Sequence, residues 1–122
     1  MSRMSVLFID DEEELVSTLV ERLAYRDIEA DYAVDGEQAL AKMHERSYDI
    51  IILDLKLPGM SGTEVLAQIR REWPDLPVLM ITGHGSAGEA QAPPSAPKCE
   101  YLQKPIGLEQ LIKKMEEALV SE

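Results

Sequence analysis

The chain has 122 residues, 45% of them apolar, and 23 acidic against 12 basic side chains give a formal charge of −11. One soluble domain spanning residues 1–122 is the expectation, because that apolar fraction fills a core and the length leaves no room for two large ones. No apolar run nears the ~20 residues of a membrane span, and the acid excess argues against direct nucleic-acid binding, which depends on Lys and Arg neutralising phosphates.

The N-terminal Met1-Ser2-Arg3-Met4 leads into only five apolar or small residues before a burst of acid, which is not the pattern of a secretory signal. The first of these runs, Ser5-Val6-Leu7-Phe8-Ile9, reads as a strand buried on both faces. Leu15, Val16, Leu19, Val20 and Leu23 then mark one face of a helix, and Asp11 followed by Glu14 predicts a capping box at its start. Glu29 to Val34 roughly alternates and is a weaker strand candidate. After Asp35-Gly36, Ala39, Leu40 and Met43 mark a second helix. A second buried strand, Asp49-Ile50-Ile51-Ile52-Leu53, runs into Asp54. Ser61-Gly62-Thr63-Glu64 caps a third helix that carries Val65, Leu66 and Ile69 inward and stops near Trp73-Pro74. Pro77-Val78-Leu79-Met80-Ile81 is a further buried strand, ending in Thr82.

Ser86 to Pro97 interrupts the rhythm. A helix belongs there, yet Gly88, Pro93, Pro94 and Pro97 oppose it, each interior proline costing ~3 kcal/mol, so a short or irregular helix is expected. Glu100-Tyr101-Leu102-Gln103 is a short strand candidate before Lys104-Pro105. The final helix carries Leu108, Leu111, Ile112, Met115 and Leu119 on one face, with Glu109 and Lys113 paired on the other. Cys99 is the single cysteine, so no intrachain disulfide can form, which agrees with a cytoplasmic setting.

Strand and helix alternating five times predict an α/β fold, a doubly wound five-stranded parallel sheet with helices on both faces. In such sheets chemistry collects at the carboxyl ends of the strands. Those ends deliver Asp10, Asp11, Asp54, Thr82 and Lys104. Carboxylates held together repel unless a cation sits among them, and an all-oxygen donor set without His or Cys favours Mg²⁺ or Mn²⁺ over Zn²⁺. A hard cation beside a carboxylate, with hydroxyl and ammonium opposite, suits phosphoryl transfer. Taken singly, each residue has a plainer reading. An Asp after a strand caps a helix or forms a turn, Asp10 to Glu14 could be a solvated acidic helix start, Lys104 a surface charge, and Thr82 a strand-to-loop residue. The conjunction on one edge is what favours a site.

These residues carry a resemblance. Asp10-Asp11, Asp54 within Asp54-Leu55-Lys56-Leu57-Pro58-Gly59-Met60-Ser61-Gly62, Thr82-Gly83-His84-Gly85 and Lys104-Pro105, each following a strand, resemble the receiver domain of bacterial two-component response regulators over nearly the whole chain. The resemblance implies a flavodoxin-like strand order 2-1-3-4-5. It implies Asp54 as phosphoacceptor from a phosphohistidine on a sensor histidine kinase or phosphotransfer protein. It further implies Mg²⁺ held by Asp11, Asp54 and the Lys56 carbonyl, with Asp10 on metal-bound water. Lys104 and Thr82 would contact the phosphoryl oxygens, Tyr101 would rotate inward as Thr82 moves, and Lys104-Pro105 would be a cis peptide. Lys56 and His84 stand at positions that tune the lifetime of the acyl phosphate, and Tyr101 and His84 could equally be a half-buried strand aromatic and an inert loop residue. The implied role is a phosphorylation-dependent signalling switch controlling a downstream output domain or protein, not an enzyme acting on a separate substrate.

Three other classes fit less well. A haloacid-dehalogenase-like phosphatase normally wants a second Asp two residues after the nucleophile, where Lys56 stands. A flavodoxin-like electron carrier needs a phosphate-cradling first loop, and Asp10 to Glu14 would repel that anion. A receiver-like module that binds partners without phosphorylation is consistent with a degraded fourth helix but not with intact Asp11, Asp54, Thr82 and Lys104.

Overall fold

The computed structural model describes residues 4–57, 59–82, 99–103 and 107–120. Five short strands, β1 (Ser5–Ile9), β2 (Glu29–Ala33), β3 (Ile50–Asp54), β4 (Val78–Thr82) and β5 (Cys99–Gln103), form one parallel sheet in the order β2-β1-β3-β4-β5. Four helices are described: α1 (Glu13–Ala24), α2 (Gly36–Glu45), α3 (Gly62–Glu72) and α4 (Leu108–Val120). The expected fold and strand order are therefore the observed ones. The expected irregular helix between Ser86 and Pro97 lies outside the described residues.

Strand periodicity divides the apolar runs between two cores. Val6, Phe8, Ile50, Ile52, Leu79, Ile81 and Leu102 pack with Val16 and Leu23 of α1 and with Leu111, Ile112 and Met115 of α4. The alternate residues, Leu7, Ile9, Ile51, Leu53, Val78 and Met80, pack with Ala39 and Met43 of α2 and with Val65, Leu66 and Ile69 of α3. All five β3 residues are buried, because β3 is central and covered on both faces. β2 lies at an edge and is only partly buried, which is why its sequence alternates less cleanly.

Local capping sets where the helices begin. Asp35 accepts from the Gln38 amide at 2.8 Å at the start of α2. At α3 the expected capping box forms in full: Ser61 Oγ accepts from the Glu64 amide, and the Glu64 carboxylate accepts from the Ser61 amide at 2.9 Å. The box expected from Asp11 and Glu14 does not form. Helix α1 starts at Glu13 with Glu12 at its N-cap and no side-chain cap, because the Glu12 amide donates instead to Asp10 Oδ1 at 2.9 Å. Helix α3 ends at Glu72, and its C-cap Trp73 has left the helical region, at φ −130° and ψ 72°, as a residue before Pro74 is pressed to do.

Gly62 joins the second core to the end of β3. Its amide donates to the Leu55 carbonyl at 3.0 Å. A Cβ at this position would lie 2.6 Å from the Asp54 carbonyl oxygen and 2.6 Å from Leu55 Cα. Only glycine lets the first turn of α3 press this closely on the strand end.

Candidate functional site

The β1–β3 register builds the site. Phe8 pairs with Ile52 and Ile9 with Leu53, so the next step along both strands sets Asp10 beside Asp54. Both share parity with the Phe8 and Ile52 side chains and lie over the same face of the sheet. Each is buried, Asp10 at 3% exposure and Asp54 at 5%, and they are the buried charged residues among those described.

Each carboxylate is turned by the chain that follows it. Asp10 Oδ1 accepts from the Glu12 amide, and Asp54 Oδ1 accepts from the Lys56 amide at 3.1 Å. These are the two-residue loops in which an Asp side chain folds back on its own backbone, and they hold both groups in fixed orientation at the carboxyl edge. Glu12 comes with them: carboxylate oxygens of Asp10, Glu12 and Asp54 all lie within 4.8 Å of one another. Tyr32 hydroxyl donates to Glu13 Oε2 at 2.8 Å, which ties the first turn of α1 to β2 and holds the phenol above its ordinary range.

The sequence-derived candidates divide accordingly. Asp10 and Asp54 are brought together. Asp11 is exposed and stands outside the acid group that Glu12 joins. Lys56 has an exposed side chain and contributes its amide to Asp54. Thr82 ends β4 one residue beyond Ile81, the partner of Asp54, and pairs with Gln103, so its backbone reaches the same edge. Tyr101 lies in β5 opposite Met80. His84, Lys104 and Pro105 lie outside the described residues. Glu12 is the residue that sequence reasoning passed over. It was counted within the acidic helix start, although its spacing of two from Asp10 is the one at which an Asp side chain recaptures the backbone.

Two buried carboxylates side by side, with a third at the mouth, make a hard, anionic, oxygen-only donor set. That set fits Mg²⁺ or Mn²⁺ and not a soft or nitrogen-seeking metal. The cavity of about 110 Å³ bounded by Met43, Arg46, Ser47, Tyr48, Trp73 and Leu76 lies at the opposite, amino-terminal end of the strands. It plays no part at this edge.

Comparison with known proteins places the geometry. The profile described as response regulator receiver domain matches residues 6–116. The chain is 36% identical to the sensory transduction protein RegX3 of Mycobacterium tuberculosis over 115 residues, covering 94% of this chain and 50% of that protein. It is 32% identical to the transcriptional regulatory protein TcrA of the same organism, covering 94% of this chain and 46% of that protein. The chain thus spans about half the length of these curated relatives. The crystal structure of the receiver domain of NtrX from Brucella abortus superposes with a TM-score of 0.87 at 30% identity, covering 96% of this chain and 99% of that one. The chemotaxis protein CheY4 of Vibrio cholerae superposes with a TM-score of 0.87 at 29% identity, covering 97% of this chain and all of that one.

Proposed function

The chain belongs to the response regulator receiver family of two-component signalling, and from that premise we propose that Asp54 is its phosphoacceptor. The observation that carries this reading is the burial of Asp54 beside Asp10 on adjacent strand ends, in a place where a structural role alone would favour an apolar or neutral residue.

Asp10, Asp11, Asp54 and the Lys56 carbonyl are the groups that would hold Mg²⁺ or Mn²⁺, with Glu12 beside them. The ion supplies positive charge that offsets the phosphoryl oxygens. An Asp54 carboxylate oxygen attacks the phosphorus of a phosphohistidine on a sensor histidine kinase or phosphotransfer protein. The O–P bond forms as the P–N bond breaks, and the departing imidazole keeps the electron pair and takes a proton. The Lys56 amide bond to Oδ1 fixes the carboxylate plane during the attack, so little orientation has to be found at the moment of reaction.

Thr82 and Lys104 offer a hydroxyl and an ammonium to the new phosphoryl oxygens, and Tyr101 follows the movement of Thr82. A phosphoryl group shifts the conformational balance only by its stronger contacts in the active form, and these two residues supply that difference. Lys56 and His84 set the lifetime of the acyl phosphate. The resulting switch controls an output domain or protein in the cytoplasm. Among the described residues no helix is long and apolar enough to cross a membrane.

The test is incubation with a small-molecule phosphodonor and Mg²⁺, followed by intact-mass measurement. One phosphoryl adduct, lost with EDTA and absent in Asp54→Asn, is expected. No adduct in the wild type with Mg²⁺ present would favour a module that binds partners without phosphorylation.

A further inference from the structure

Helix α1 begins at Glu13 with no side-chain cap at its N-cap residue. A tyrosine from the neighbouring strand holds its first turn instead. Tyr32 pairs with Phe8 across β1 and β2 and lies over the same face of the sheet, the face that α1 covers with Val16 and Leu23. Its ring is half-buried against this core, and its hydroxyl donates to Glu13 Oε2 at 2.8 Å. Phenylalanine would meet a purely apolar role here; the hydroxyl adds a donor on a ring that packing holds in place. Backbone bonds carry the hold from Glu13 to the buried acid. The Glu13 amide donates to the Asp11 carbonyl at 3.0 Å, the Glu12 carbonyl accepts from the Val16 amide at 3.1 Å, and the Glu12 amide donates to Asp10 Oδ1 at 2.9 Å.

We infer that Tyr32 is a positioning residue for this edge: through Glu13 it holds the turn between β1 and α1 in the conformation that orients the Asp10 carboxylate, and so sets how well the edge binds a divalent cation. The inference rests on the reading of this edge as a cation site. Every residue from Asp10 to Glu14 is acidic, so without a cation their mutual repulsion favours a more open turn, and the Tyr32 bond opposes that opening. A typical intramolecular hydrogen bond is worth about fivefold in an equilibrium, and water competes for this one at its exposed end. A change of about two- to fivefold is therefore the scale to expect when it is removed. Tyr32→Phe removes one oxygen and leaves ring and charge as they are, which separates the bond from the packing.

The experiment reads amide exchange at Glu12 and Val16 by NMR, on the whole chain in EDTA, for wild type, Tyr32→Phe, Glu13→Ala, Glu13→Gln and the double variant Tyr32→Phe with Glu13→Ala. Calorimetric titration with MgCl₂, without a phosphodonor, then compares wild type with Tyr32→Phe. Circular dichroism melts in EDTA check that each variant is folded. Exchange about two- to fivefold faster in Tyr32→Phe and in Glu13→Ala, with no further gain in the double variant, is the expected result. Glu13→Gln, whose amide oxygen still accepts the bond, is expected to stay within about twofold of wild type, and Tyr32→Phe to bind Mg²⁺ about two- to fivefold more weakly. Equal exchange in wild type and Tyr32→Phe overturns the inference. A further acceleration in the double variant also overturns it, since Tyr32 then acts by a route other than Glu13. Exchange in Glu13→Gln as fast as in Glu13→Ala overturns it as well, because that reports charge and not the bond. Unchanged Mg²⁺ affinity in Tyr32→Phe overturns the inference and leaves the cation site standing, whereas absence of saturable Mg²⁺ binding in the wild type overturns both.

Discussion

Replacing Gly62 by alanine tests whether the start of α3 positions the acceptor. The added Cβ would stand 2.6 Å from the Asp54 carbonyl oxygen, 2.6 Å from Leu55 Cα and 2.8 Å from the Leu55 oxygen. All three are backbone atoms, so no side chain can swing aside. Reaching the 3.4 Å at which ordinary contact begins requires an opening of about 0.8 Å, which also stretches the 3.0 Å bond from the Gly62 amide to the Leu55 carbonyl. Overpacking of this kind costs ~1–3 kcal/mol and the hydrogen bond about 1 kcal/mol more. Alanine returns at most ~1 kcal/mol of helix propensity, so the steric term wins by about 2 kcal/mol. With an unfolding entropy of about 2.1 cal/mol/K per residue, that loss lowers Tm by about 8 °C. The chemical effect is larger in proportion, because displacing the end of β3 moves Asp54, and misplacement by about 1 Å can cost ~100-fold in rate. Gly62→Ala is therefore expected to melt about 8 °C lower and to phosphorylate at least about tenfold more slowly from a small-molecule donor. Calorimetric melting and intact-mass time courses give the two numbers. A variant that melts at or above the wild-type temperature and phosphorylates at the wild-type rate would refute the argument.

Removing the α3 cap with Ser61→Ala should cost about 1 kcal/mol and about 4 °C in Tm, read by thermal melting, because the Glu64 amide loses its side-chain acceptor. Ile52→Ala, in the fully covered central strand, should cost ~2–5 kcal/mol in urea titration, the range for emptying a well-packed core position. Saturating Mg²⁺ at about a hundred times its dissociation constant should raise stability by about 2.7 kcal/mol, and EDTA should return the melting curve to its starting point. Tyr48 is buried with its hydroxyl donating to Asp31 at 3.2 Å, and burial, with the Asp31 charge second, pushes the phenol up to about 12. Its folded pKa lies above the ordinary value of 10.0, so its contribution is complete below that pH and is lost as pH rises through about 12. Stability of the wild type should fall across that interval more steeply than that of Tyr48→Phe, measured by denaturation at stepped alkaline pH.

How much of this was legible in the chain differs from feature to feature. The apolar runs Val6 to Ile9, Ile50 to Leu53 and Val78 to Ile81 announce doubly covered strands, because no other soluble setting tolerates both faces apolar over so short a length. The α3 cap was readable because Ser61 and Glu64 each bond the other's backbone and every partner of the Ser61 hydroxyl lies within three residues. The same four-residue pattern failed at Asp11 and Glu14. There a buried tertiary carboxylate, Asp10, competes for the backbone and delays the helix to Glu13. Asp54 and Asp10 stood out as strand-ending acids, but their adjacency depends on the β1–β3 register, a long-range pairing that no local pattern contains. Glu12 was hidden for a related reason: within Asp10 to Glu14 every residue is acidic, and only the fold shows that the exposed Glu12 carboxylate lies within 4.8 Å of oxygens from the buried Asp10 and Asp54.

The central claim, that Asp54 accepts the phosphoryl group, is tested most directly by trapping. After phosphorylation in Mg²⁺, borohydride reduces an aspartyl phosphate to the corresponding alcohol, and peptide mass spectrometry then locates the altered residue. The account predicts reduction at Asp54 alone. Reduction at Asp10, Asp11 or Glu12 with Asp54 unaltered would contradict it.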